Sequence, residues 1–185
     1  MTLPGRLGFY YFPDTQHYTQ SDLHCWQPEL QALGATWLIL RAPNHFAIPE
    51  PFLNGLVSKG IEPILHFDLM PGVAAEFEHY QLLFQTYARC SLRYVVLFDK
   101  PNLRSAWPAS AWAQGNLIER FIDAFIPLAN LAIQSGLIPV FPPLEPGGDF
   151  WDTAFLRSAL SSLRRRGQKQ IIKNLILGAY AWTCD

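Results

Sequence analysis

Short apolar runs alternate with longer amphipathic segments along the whole chain. The apolar runs predict β-strands at residues 7–12, 36–41, 62–67, 93–98, 137–141 and 175–182. Apolar positions at helical spacing predict helices at residues 21–33, 49–59, 74–92, 110–135 and 151–166, with a short helical turn around Ile171. Ser21 is the predicted N-cap of the first helix, and Pro127 is expected to kink the fourth.

This strict alternation of strand and helix predicts a parallel sheet with right-handed crossovers. Neither GxGxxG after the first strand nor GxxxxGK[ST] occurs, so the common nucleotide-binding folds lack their signature. We therefore expect an α/β fold of the (β/α)8 TIM-barrel type, with only the first six β-α units present in a single domain over residues 1–185. A full barrel usually has eight strands and about 250 residues. Either further chain or another copy in a homo-oligomer is expected to complete it.

Composition excludes several classes of protein. A net charge of −1 gives no electrostatic basis for binding nucleic acid or an anionic membrane. No apolar run approaches the roughly 20 residues of a membrane span, and the amino terminus does not resemble a signal peptide. We expect a cytoplasmic protein without nucleic-acid or membrane partners. Aromatic residues make up 14% of the chain, which suits either carbohydrate stacking or a Trp-rich core.

Polar residues lie at the carboxyl ends of the predicted strands, where barrels of this type carry their active sites. Those that we place in one pocket are Arg41, His66, Asp68, Asp99, Lys100, Asn102, Glu145 and Tyr180. Arg41 and Asp68 could equally form a structural ion pair. His66 and Asp68 share a strand face, but spacing fixes no third ligand, so we predict neither a metal site nor a cofactor.

The segment 94–107, YVVLFDKPNLRSAW, carries the most specific motif in the chain. It resembles the fourth-strand signature of retaining glycoside hydrolases of the large (β/α)8 clan, in which an apolar strand precedes Asn-Glu-Pro-Asn and often a Trp. Arg41 is similar to the Arg that ends the second strand in that clan. Tyr180 stands where its sixth strand often places an aromatic hydroxyl.

The resemblance implies a carbohydrate-binding barrel with a degenerate catalytic site. In the clan, the Glu of Asn-Glu-Pro is the general acid/base, whereas this chain has Lys100 there and Asp99 in place of the Asn. The clan's nucleophile ends a seventh strand, and the sequence stops before one. We expect Arg41 and Asn102 to donate hydrogen bonds to sugar hydroxyls and Asp68 and Asp99 to accept them. Trp107 or Trp182 is expected to supply a stacking face.

Two other functions remain open from the sequence. The first is an active glycosidase that uses Asp99 or Glu145 as its acid, with a nucleophile outside these 185 residues. The second is a lyase in which Lys100 forms a Schiff base with a carbonyl substrate. Lys100 is one of only four lysines in the chain, which draws attention to its position at a strand end.

Overall fold

Six parallel strands form one sheet, and each strand is hydrogen-bonded to its neighbours in chain order. The computed structural model describes residues 7–180. The strands are β1 (Gly8–Tyr10), β2 (Trp37–Ala42), β3 (Glu62–Leu69), β4 (Tyr94–Phe98), β5 (Ile138–Phe141) and β6 (Ile176–Leu177). The α/β class and the predicted order of six parallel strands are confirmed, and the sheet curls into an open half-barrel.

Helices connect successive strands, as parallel pairing requires. They are α1 (Gln20–Ala32), α2 (Glu50–Ser58), α3 (Phe77–Arg89), α4 (Ala109–Trp112), α5 (Leu117–Gln134), α6 (Asp152–Arg165) and α7 (Lys169–Asn174), and a 3-10 turn covers Arg104–Ala106. No helix within residues 7–180 combines the length and the apolar character that a bilayer crossing needs.

The main core lies between the outer face of the sheet and the helices. Alternate residues of β2, which are Leu38, Leu40 and Ala42, are buried there, as period-two geometry dictates. On α5, Phe121 and Phe125 pack against the aromatic rings of strands β4 and β5. This packing fixes the sheet, so the residues between the buried ones face the inside of the curl.

The ring of Trp37 lies over β1 near the amino-terminal end of the sheet. A Cβ added to Gly8 would lie 1.9 Å from the ring of Trp37, so the indole lies directly across β1. Glycine is required here because any side chain would displace that ring.

Three sequence predictions are wrong in their details. The predicted helix over residues 110–135 is divided into α4 and α5, because Asn116 adopts a left-handed backbone with a φ of 60°. Thr19, not Ser21, is the N-cap of α1, and its side chain forms a capping box with Asp22. Within residues 175–180, only Ile176 and Leu177 pair with the sheet.

Candidate ligand site at the carboxyl ends of the strands

Strand register aligns the polar residues at one end of the inner face. Arg41 is paired with His66, and His66 is paired with Val96 of the next strand. Val96 is in turn paired with Val140. Because side chains alternate between the two faces of a strand, these four point to the same side. Arg41 and His66 are thus neighbours on the inner face, as the sequence predicted.

The ion pair between Arg41 and Asp68 forms part of the rim. Arg41 Nη2 lies 2.7 Å from Asp68 Oδ2, and the Asp68 side chain is 55% exposed. Exposed pairs of this kind contribute about 1 kcal/mol or less to stability. Asp68 holds the guanidinium in place, and Arg41 also lines a cavity on the inner face of the sheet.

His66 is the buried titratable group of the site. Its side chain is only 4% exposed, and Nε2 lies 3.9 Å from Asp99 Oδ1, beyond hydrogen-bond distance. Nε2 has no hydrogen-bond partner among the described residues. Burial lowers the pKa of His66, and the nearby Asp99 carboxylate opposes that shift in pKa only in part. The structure therefore presents a neutral imidazole, able to donate or accept one hydrogen bond toward the cavity.

Lys100 lies just beyond the carboxyl end of β4 in an ion pair with Glu145; its side chain is 27% exposed, and neither residue lines the cavity on the inner face. The Lys100 Nζ lies 2.6 Å from Glu145 Oε2 and 4.8 Å from the ring centroid of Tyr180. Its backbone has a φ of 43°, a left-handed conformation that is uncommon for a residue with a side chain. The Lys100 N–H donates to the carbonyl of Pro143, which fixes this turn against the connection that follows β5.

Tyr180 connects the first strand with the residue that follows β4. Its hydroxyl donates to Asp99 Oδ1 at 3.2 Å, and the hydroxyl of Tyr10 donates to it at 3.4 Å. The two rings are stacked, with centroids 6.4 Å apart. Burial is the main cause that raises the pKa of Tyr180, so the hydroxyl keeps its proton at neutral pH.

Asn102 and Trp107 do not face the cavity, so the prediction that both bind substrate is wrong. Asn102 is fully buried, and its amide donates to the carbonyls of Glu145 and Phe150 and accepts from the Glu145 N–H. Trp107 is 4% exposed, and its indole N–H donates to the carbonyl of Pro101. Both residues hold loops in place, and neither offers a surface to a ligand. Trp182, the other predicted stacking residue, lies outside the described residues.

The inner face holds a cavity of about 310 Å³, which we call the concave cavity. Its lining consists of Tyr10, Tyr11, Phe12, Pro13, Ile39, Arg41, His66 and Tyr180. The aromatic residues of the first strand were missed as site residues. The run FYYF at residues 9–12 was the available signal, since alternate members of a first strand must face the barrel interior.

Comparison with known proteins gives a fold but no family. No protein-family model matches the sequence, and no curated protein matches it. Among solved structures, the chain is similar to an L-ribulose 3-epimerase, with a TM-score of 0.64, 14% identity, and coverage of 94% of this chain and 59% of that one.

A second similar structure is a D-psicose 3-epimerase determined in the presence of D-fructose. Its TM-score is 0.57 at 14% identity, with coverage of 93% of this chain and 62% of that one. The chain thus spans about three fifths of the length of these two proteins. Both are TIM-barrel enzymes, so the likeness supports the assignment of the half-barrel to that architecture.

Proposed function

We propose that the concave cavity binds a carbohydrate and that the site is catalytically degenerate as a glycoside hydrolase. The observation that carries the proposal is the ion pair between Lys100 and Glu145 beside Asp99 and Tyr180. In the hydrolases that the sequence resembles, a proton-donating Glu stands at the position of Lys100. Here an ammonium ion occupies that position, and its contact is a carboxylate of the protein itself.

The polar groups around the cavity suit sugar hydroxyls, which both donate and accept hydrogen bonds. Within the lining, Arg41 supplies donors and the imidazole of His66 can donate or accept. Asp99 is not part of the lining, but its carboxylate lies beside His66 and Tyr180 and offers acceptors next to them. The rings of Tyr10 and Tyr180 add apolar surface for the C–H face of a sugar. A few convergent polar groups on a largely apolar wall are typical of small-molecule sites.

The two similar proteins are sugar epimerases, and one was determined with D-fructose present. At 14% identity these similarities support only the fold. The proposal that this protein binds a sugar therefore rests on the residues that line its own cavity.

Calorimetric titration with methyl glycosides of glucose, galactose, mannose and xylose tests the proposal. We expect at least one to bind, and Asp99→Asn to weaken it about tenfold or more, since a charged acceptor is lost. Glu29→Gln on the exposed surface of α1 makes the same chemical change away from the cavity and should leave affinity unchanged. Absence of binding to the whole panel would overturn the proposal.

The same preparation distinguishes the two alternative functions. An active glycosidase would release 4-nitrophenol from aryl glycosides, and Asp99→Asn or Glu145→Gln would abolish the release. A Schiff-base lyase would be inactivated by borohydride in the presence of its carbonyl substrate, with the label on Lys100. We expect neither result, because Lys100 is already in an ion pair with Glu145.

A further inference from the structure

A second and larger cavity, of about 700 Å³, lies on the helical side of the sheet. We call it the lateral cavity. It is bounded by the connection after β3 and by α3 and α5, and its apolar wall includes Met70, Val73, Phe77, Tyr80, Ala124 and Leu128. Its volume falls within the roughly 300–1,000 Å³ of small-molecule sites.

Two of the charged groups that line the lateral cavity have protein partners, whereas the buried Asn44 Oδ1 has no hydrogen-bond partner among the described residues. Arg120 donates to the carbonyl of Ala111, and its guanidinium lies over the ring of Trp107. Asp123 is paired with Arg166. The wall formed by Met70, Val73, Phe77, Tyr80, Ala124 and Leu128 is nonetheless mainly apolar, so an apolar ligand group can pack against it without burying a further polar atom.

The entrance is apolar as well. Met70, Val73 and Phe77 are 45%, 57% and 47% exposed, and they follow one another along the same stretch of chain beside the cavity. Scattered exposed apolar residues need no explanation, but a contiguous group at a cavity mouth is typical of a binding site.

One ion pair connects the linings of the two cavities. Arg41 lines the concave cavity, Asp68 lines the lateral cavity, and the two side chains are paired at 2.7 Å. The Asp68 side chain is 55% exposed, so a ligand can cross the rim above it. One molecule with a polar end and an apolar end could then occupy both cavities.

We propose that the lateral cavity binds the apolar substituent of a glycoside whose sugar ring lies in the concave cavity. This inference rests on the proposed carbohydrate function and adds the class of ligand, an alkyl or aryl glycoside. It gives the Arg41–Asp68 pair a position at the junction between sugar and substituent, where the glycosidic oxygen would lie.

The test compares methyl and octyl glycosides of the sugar that binds, with the octyl compound kept below its critical micelle concentration. We expect the octyl glycoside to bind at least about tenfold more tightly, because burial of even two or three methylene groups gives that factor. Phe77→Glu should reduce the ratio of octyl to methyl glycoside affinity to about one, and it should leave the affinity for the methyl glycoside unchanged.

Leu82→Glu is the matched control. Leu82 is 65% exposed on the same helix and does not line the lateral cavity, so the octyl preference should persist in this variant. Equal binding of methyl and octyl glycosides would overturn the inference and leave the proposed function standing. If the Phe77→Glu variant still preferred the octyl glycoside, the octyl group would have to bind outside the lateral cavity, and this result would also overturn the inference. Failure of both ligands to bind would overturn the proposed function together with the inference.

Discussion

The imidazole of His66 is almost completely buried, yet its Nε2 faces a carboxylate at 3.9 Å without a hydrogen bond. Burial disfavours the imidazolium more than Asp99 favours it, and the pKa of His66 is lowered. The fold therefore favours the neutral imidazole, and protonation of His66 in the folded protein is unfavourable.

The pH dependence of stability follows from this shift. Below the ordinary histidine pKa of about 6.5 the unfolded chain binds a proton that folded His66 does not, so the free energy of unfolding falls as the pH falls. Urea titrations at about pH 7.5 and about pH 5.5 should show this decrease, and His66→Gln should reduce it. The exposed His24→Gln is the control; a His66→Gln variant with the wild-type pH dependence would contradict the interpretation.

Residue identity in the site was predictable, but residue role was not. Placement at strand ends was enough to bring Arg41, His66, Asp99 and Lys100 into one region. The sequence could not show that Glu145, 45 positions further on, would be the partner of Lys100, because that contact depends on two loops meeting. Nor could it show that Asn102 would turn away into the loop instead of toward a ligand.

At the level of elements, the connection that follows β5 is held by one side chain. The Asn102 side chain accepts a hydrogen bond from the Glu145 N–H and donates to the Glu145 carbonyl. It also donates to the carbonyl of Phe150. Gly148 allows this close approach, since a Cβ there would lie 2.5 Å from Asn102 Nδ2. The position of Glu145, and with it that of Lys100, depends on this arrangement.

Loss of the Asn102 amide should be costly. Asn102→Ala leaves buried backbone groups unsatisfied, and we expect the free energy of unfolding to fall by about 2–4 kcal/mol. Asn54→Ala, an exposed site on α2, should change it by no more than about 0.5 kcal/mol. Chemical denaturation measures both. Equal effects would show that the amide has no special structural role.

Elements bounded by strong local signals were predicted well, and the others were not. The apolar runs of β2, β3 and β4 lie between helices that end in glycine or polar turns, so hydrophobic pattern was sufficient. The break between α4 and α5 falls at Gly115 and Asn116, where turn-forming residues interrupt an otherwise helical pattern. Only two residues of β6 pair with β5. The extent of this pairing depends on tertiary contacts, which the hydrophobic periodicity of the sequence does not predict.

For the molecule as a whole, the sheet has a well-packed centre and two sparsely paired edges. Strands β2, β3 and β4 pair on both sides over several residues, whereas β6 pairs through two exposed residues only. Local stability should follow that order, because amide protection depends on burial and on backbone hydrogen bonding.

Hydrogen exchange followed by mass spectrometry measures this order. We expect peptides from β3 and β4 to exchange slowest and those that contain Ile176 and Leu177 to exchange among the fastest. Slow exchange at Ile176 and Leu177, equal to that of β3, would contradict this expectation. It would indicate that another chain covers the β6 edge in solution.

The contact between Tyr10 and Tyr180 joins residues 170 positions apart, one in the first strand and one beyond the last. Closing so long a stretch of chain is entropically unfavourable, so this contact depends on the sheet that brings its two ends together. A sugar bound against both rings would contact the two edges of the sheet at once. Its binding free energy would then resist unfolding of the entire sheet and not of one loop, which makes thermal shift a sensitive screen for the natural ligand.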